Sequence, residues 1–476
     1  MISNPLIQRY RYSTLRPKQL WVYVTIYFSI IFLLVSINYT LYKYQGFIVD
    51  ITQLHENLYY QFLTFQIVIL FFWSAYNSGS AIKEEMLNKS FDFFRLYPIP
   101  PHQKALGIII GKNLLVFIFA AINFLLLIYF GIAGRINVNL QIQILVAIIS
   151  ITIFINLFSL MISINSHPRS KNEGIMRTLL MIFFLGPLAL NIALALAKIG
   201  DLQEYMVYFF KIKIPILILI SLIALYLSCW IFKGILRRFT YEQDSLFTRK
   251  GALLFFVNYI LVVTGLYYNY LPDEGSKLVY AYCVSILIPV LIIPLGSLYR
   301  LDQYMEYTGV IQKQLGSSIK NVFLILRQSN LALGVVLFAI WAVSSIAAAF
   351  FANYPEVLSL SNLYNIFVLL TCYLFSILLL EVYAVYNSES NKIGLLLCFI
   401  MGLYTILPFI LAGLFRDNLL SLYSPFGFIS SMFFDDAEID ISIQNTFSLI
   451  NALLCVFPSL FILSRYKYII AQRQKM

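Results

Sequence analysis

Few residues in this chain of 476 are of types that do chemistry, and fewer stand at useful spacings. Five cysteines (Cys229, Cys283, Cys372, Cys398, Cys455) lie singly inside long apolar runs, with no C-x-x-C pair among them. Cysteine in such a run behaves as a small apolar residue, so neither redox work nor a metal centre is expected. The three histidines (His55, His102, His167) fall in separate polar segments, none with a second ligand one helical turn away. Gly107 to Asn113, GIIIGKN, resembles a phosphate loop but has one residue too few between its glycines and no Ser or Thr for Mg²⁺. Asp50 and Glu56 are the carboxylates of an early polar segment, where a membrane-embedded glycosyltransferase would keep its acidic base. Two such carboxylates are usually just solvated. No catalytic centre, no cofactor and no resident metal are expected, and the chain is not expected to be an enzyme itself.

The most specific stretch is Ala81 to Lys112, AIKEEMLNKSFDFFRLYPIPPHQKALGIIIGK. Helical periodicity over about 80–97 puts Ile82, Met86, Leu87, Phe91 and Phe94 on one face. Lys83, Glu84, Glu85, Lys89, Asp92 and Arg95 lie mainly on the other. Ser80 is placed to cap the start. Pro98, Pro100 and Pro101 end the helix, because proline lacks the amide donor and clashes in a helix interior. Such a helix suits a membrane surface, with its charges toward water.

The elements that must position this segment are membrane spans. Of the residues, 61% are hydrophobic and 12% charged, against roughly 45–50% and about 25% in a soluble domain. Lipid must therefore be the solvent for much of the surface. Apolar runs near 20–41, 58–76, 105–131, 142–163, 175–198 and 213–234 predict six spans. Runs near 250–268, 277–296, 331–351, 361–386, 393–414 and 446–463 predict six more. The fold class expected is all-α, a polytopic bundle of about 12 helices, since lipid-exposed backbone must satisfy its own polar groups. The basic start (Arg9, Arg11, Arg16, Lys18) precedes a run too long for a signal peptide, and no small-x-small site follows it.

With the N-terminus placed inside, alternate segments hold most of the 33 Lys and Arg. That bias puts both termini in the cytoplasm. It also explains the net charge of +11 without nucleic acid, because the cations are scattered over many short loops. The abundance of Ile, Tyr, Lys and Asn suggests an AT-rich bacterial genome, hence a bacterial cytoplasmic membrane.

The spans divide six and six, as 1–235 and 236–476, with corresponding spans offset by roughly 220–230 residues. An even count per half leaves the halves parallel, related by an axis along the membrane normal. The longest external loop, 415–445, carries Ser424-Pro425-Phe426-Gly427-Phe428 and the acidic cluster Asp435, Asp436, Glu438, Asp440.

The 81–112 segment resembles the motif region of the permease subunits of ABC exporters of the second type. In that family a cytoplasmic helix after the second span carries an acidic pair, then a Thr-Leu-Asp/Glu-like step, an apolar run and a proline turn. A Gly-Lys then opens the third span. Here Glu84 and Glu85 match the pair, Ser90 to Asp92 the step, Phe93 to Leu96 the run and Pro98 the turn. Lys89 stands where the family usually has glycine, and Gly111-Lys112 falls about a turn late. The corresponding stretch of the second half, Arg300 to Lys320, has neither the prolines nor a clear acidic pair. The resemblance implies a coupling helix (Lys83, Glu84, Glu85, Ser90, Asp92, Arg95, Pro98) that docks on ATP-binding cassette subunits, in two copies. It also implies export of a substrate that the charge-poor spans suggest is apolar or amphipathic. An ion-coupled secondary transporter is the alternative. Mid-span charge is nearly absent, with Glu381, Lys112 and Lys198 near span ends, so amides such as Asn123, Asn156 and Asn191 would have to bind its ion.

Overall fold

The computed structural model describes residues 4–44, 50–87, 98–165, 206–240, 248–270 and 330–351, with isolated positions in 282–290 and at 446 and 450. The chain divides into two compact units, Met1–Val207 with Lys213–Glu242, and Tyr208–Ile212 with Gln243–Met476.

The first unit opens with a short helix, α1 (Pro5–Thr14), which Asn4 caps by accepting the Leu6 amide at 3.0 Å. Then come α2 (Pro17–Tyr44), α3 (Ile51–Ile67), a π-helical turn (Val68–Trp73) and α4 (Ser74–Leu87). After the proline turn follow α5 (Pro101–Lys112), α6 (Leu114–Ala133), α7 (Val138–Asn165) and, further on, α8 (Ile216–Thr240). In the second unit lie α9 (Arg249–Tyr267) and α10 (Asn330–Phe351).

Among the described residues, six helical stretches are long and apolar enough to cross a membrane. They are Leu20–Thr40, Ile51–Met86, Leu114–Ala133, Val138–Ile164, Ile216–Thr240 and Arg249–Tyr267. The protein is a mostly helical, multi-pass membrane protein. The runs predicted at 175–198, 361–386, 393–414 and 446–463, and the 415–445 loop, lie outside the described residues or nearly so.

Three local expectations are corrected. The second span is not a 58–76 helix followed by a separate surface helix starting at Ser80. From Ile51 to Met86 it runs as one piece of 36 residues, about 54 Å at 1.5 Å per residue. The hydrocarbon is only about 30 Å thick, so hydropathy marks the wetted limits and not the helix ends. Ser80 sits mid-helix, its hydroxyl donating to the Asn77 carbonyl at 3.2 Å instead of capping. The third span breaks at Asn113 into α5 and α6, the asparagine standing at φ −96°, ψ 9° between them. Ahead of the sixth span, Met206–Phe209 and Ile212–Pro215 pair as a two-stranded hairpin, β1 and β2, in a chain expected to be all-α.

The π turn has a visible cause. The Ser74 amide reaches back five residues to the Ile69 carbonyl, and the Ser74 hydroxyl donates to the Leu70 carbonyl that this shift releases. Inside the bundle a buried polar ladder joins α4, α7 and the α5–α6 junction. Asn156 Nδ2 donates to Ser74 Oγ at 3.0 Å, and its Oδ1 accepts from Ser78 at 2.6 Å and Asn113 at 3.3 Å. Asn113 Nδ2 also donates to Ser78 Oγ at 2.8 Å. A second set links α3 and α6, where Asn123 Nδ2 donates to Gln66 Oε1 at 2.7 Å and to the Phe62 carbonyl at 3.0 Å. In lipid, where apolar contact brings little net gain, such bonds and close packing hold helices together.

In the second unit, Phe256 and Val263 of α9 share a buried core with Leu337 and Trp341 of α10. The hairpin tip packs there too. Phe210 adopts φ 51°, and its amide donates to the Gly265 carbonyl at 2.7 Å. A β-carbon at Gly265 would stand 2.7 Å from the Phe209 ring, which is why only glycine fits beneath the tip.

Candidate functional site

Of the candidate coupling residues, Lys83, Glu84 and Glu85 stand at the end of the first unit that carries the N-terminus. Here Leu6 and Tyr10 of α1, Ile82 of α4, Ile108 of α5, Leu160 of α7 and Ile235 of α8 meet in one buried cluster. The expected acidic pair is engaged within the chain. Glu85 is buried, its Oε2 accepting from Arg9 Nη2 at 3.1 Å and its Oε1 from the Tyr10 hydroxyl at 3.2 Å. Glu84, more exposed, forms an ion pair with Lys112 at the end of α5. The Tyr10 ring lies under both cations, 5.4 Å from Lys112 Nζ and 5.9 Å from the Arg9 guanidinium. Two carboxylates and two cations thus close around one buried phenol.

Burial, and then the negative charge of Glu85, push the Tyr10 hydroxyl well above the ordinary tyrosine range. It stays a hydrogen-bond donor at any physiological pH. With both carboxylates ion-paired, the cluster ties α4 to α1 and α5. Among the described residues no group of three His, Cys, Asp or Glu side chains could hold a metal.

Of the other expected site residues, Lys83 donates its amide to Ser163 Oγ on α7 at 3.3 Å. Pro98 is exposed, and Pro101 occupies the first turn of α5, where a missing amide costs nothing. Ser90, Asp92 and Arg95 lie outside the described residues. Lys104, early in α5, is buried, and desolvation lowers its pKa.

The glycines of GIIIGKN serve helix contact, not phosphate. A β-carbon on Gly107 would meet Asn4 Nδ2 at 2.8 Å, and one on Gly111 would meet the Tyr10 ring at 2.8 Å. The G-x-x-x-G face is thus the floor on which α1 lies. Asn4 Nδ2 adds a bond to the Gln103 carbonyl at 2.8 Å. Replacing Gly111 with valine is expected to cost about 1–3 kcal/mol through overpacking. It should also expose Arg9 and Arg11 to trypsin, read as faster N-terminal trimming of the detergent-solubilised protein.

Sequence reasoning missed Arg9, Tyr10 and Lys112 as partners of the acidic pair. Arg9 is 76 residues from Glu85, and no local pattern joins them. The G-x-x-x-G spacing was the one available signal for the α1 contact. Asp50, weighed as a catalytic base, caps α3: its Oδ1 accepts the Ile51 amide at 2.7 Å and its Oδ2 the Thr52 hydroxyl at 2.6 Å. These bonds hold its carboxyl below the usual carboxylate range. Glu56 lies within α3.

The cluster closes the second span of a mostly helical, multi-pass membrane protein. Compared with known proteins, the chain matches no protein-family model, no curated protein and no solved structure.

Proposed function

We propose that this chain is the transmembrane permease subunit of an ATP-driven, ABC-type transporter that exports an apolar or amphipathic substrate. ATP is hydrolysed on separate cassette subunits, two per complex, docked at the cytoplasmic face. What carries the reading is the way α4 ends. It continues the second span without a break and is tied, through Glu85 and Glu84, to α1 and α5 just where residues 88–97 attach.

A force on 88–97 passes along a stiff helix into the bundle and sideways into α1 and the start of the third span. In this reading Glu84 and Glu85 anchor the coupling element, and Ser90, Asp92 and Arg95 supply the contacts to the partner. Nucleotide drives the switch only by binding the two conformations of the complex with different affinity. Both termini lie in the cytoplasm of a bacterial cell. The ion-coupled alternative gains nothing from Asn156, whose Oδ1 already accepts from two donors in the ladder.

The test is co-purification of the tagged full chain from its native host in mild detergent, followed by mass spectrometry. A soluble partner with phosphate-loop motifs is expected, lost in Asp92→Lys and Arg95→Glu while the permease stays intact. Absence of such a partner even after cross-linking would overturn the reading.

A further inference from the structure

Two neighbouring spans of the first unit are interrupted at nearby depths. The second carries the π turn, Val68–Trp73, and the third breaks at Asn113. Both kinds of irregularity are places where helices bend. They divide these spans into a far part, α3 with α6, and a near part, α4 and α5 with α1. Each part is tied within itself. In the far part Asn123 bonds Gln66 and the Phe62 carbonyl, and Gly134 lies so close to α3 that a β-carbon would stand 3.0 Å from the Glu56 amide. In the near part Glu85 pairs with Arg9, Glu84 with Lys112, and Asn4 with the Gln103 carbonyl. α7 and α8 run past both parts unbroken.

One side chain on α7 reaches both interruptions. Asn156 donates to Ser74, the residue whose hydroxyl holds the Leu70 carbonyl that the π turn releases. It also accepts from Asn113 at the break and from Ser78 beside it. Closer to the N-terminus, the near part meets α7 and α8 through apolar side chains, with Ile82 and Ile108 against Leu160 and Ile235. The Lys83 amide adds a bond to Ser163 at 3.3 Å. Acyl chains replace apolar contact at little net cost, so the polar bonds do most to set the angle between the parts. The present angle carries a cost of its own. Asn113 Oδ1 is buried and meets no donor of the protein, and bending at the break can relieve that.

We propose that the π turn and Asn113 form a double hinge on which α1, α4 and α5 swing together against α7 and α8, and that Asn156 is the latch that holds it closed. The device does not depend on whether ATP drives the protein. α5 has 12 residues and is about 18 Å long, so a tilt of roughly 15° carries its start about 5 Å.

Two distances test this, measured by pulsed electron paramagnetic resonance on the full chain in lipid nanodiscs with its five cysteines replaced by alanine. Nitroxides at Tyr12→Cys and Thr240→Cys, both exposed positions, report α1 against the end of α8. Nitroxides at Ile51→Cys and Asn139→Cys, also exposed, report the far ends of α3 and α7. With the latch intact, each pair is expected to give one narrow distribution. Asn156→Leu, and to a smaller extent Ser74→Ala, should add a second population to the Tyr12–Thr240 distance, shifted by about 5 Å, and leave the Ile51–Asn139 distance as it was. Asn123→Leu separates release of the latch from general weakening, because it loosens the tie between α3 and α6 and leaves Asn156 alone. It should lower the melting temperature yet keep the Tyr12–Thr240 distribution narrow. An unchanged Tyr12–Thr240 distribution in both latch variants would overturn the proposal. So would a second population that appears equally in Asn123→Leu, or equally between Ile51 and Asn139.

Discussion

Substituting lysine for Glu85 is expected to lower the stability of the first unit by about 3–5 kcal/mol, the cost of leaving an uncompensated cation at a buried position. Glu85 is 7% exposed, and its carboxylate is the acceptor for both Arg9 and Tyr10. Lysine would replace it with a cation facing Arg9 and Lys112 and leave the Tyr10 hydroxyl without its acceptor. The detergent-solubilised protein should melt several degrees lower, and trypsin should trim α1 early. Glu84→Gln, at the exposed pair with Lys112, should change stability by less than about 1 kcal/mol. Equal melting shifts for the two variants would contradict the burial argument. The contrast also decides how docking is to be probed. A charge reversal at Glu85 disturbs the permease's own packing, so partner contacts are better tested at Asp92 and Arg95.

Leucine in place of Asn156 is expected to cost about 2–4 kcal/mol. The side chain makes three bonds to other helices, with Ser74, Ser78 and Asn113, and such bonds in membrane proteins average about 0.6 and reach about 1.7 kcal/mol each. Leucine has similar bulk, so the loss is of hydrogen bonds rather than volume. Ser78 and Asn113 would remain buried with fewer partners. Asn38→Leu serves as the comparison: between helices it removes the reciprocal pair with Gln61, at 2.6 and 3.1 Å, and within α2 the bond to the Leu34 carbonyl at 2.8 Å. A melting temperature unchanged in Asn156→Leu would show that the ladder adds nothing beyond packing.

Hydropathy located α2, α7, α8, α9 and α10 closely, because each is an apolar stretch bounded by charge or a turn. It failed where a helix outlasts its apolar part. Residues 77–87 are polar enough to look like a loop-side helix, yet Ala81, Ile82 and Glu85 are buried by α1, α5, α7 and α8. The break at Asn113 carried no proline or charge pattern; the residue sits there because its amide serves Ser78 and Asn156, a tertiary fact. The acidic pair was legible as a feature, but not its partners, since a charge in the sequence does not say which distant cation neutralises it. Arg9 looked like one more member of the basic start. The hairpin 206–215 was missed because its alternation is short and runs directly into an apolar helix.

The central claim is that the connection after the second span meets an ATP-hydrolysing subunit. Its most direct test is site-specific photo-crosslinking in the native host, with a benzophenone amino acid placed at Phe93. The same probe at Arg135, in the turn at the far end of α6, is the control. Mass spectrometry of the adducts should identify a soluble protein with nucleotide-binding loops from position 93 and none from position 135. No such adduct from position 93, or the same adduct from both ends, would contradict the account.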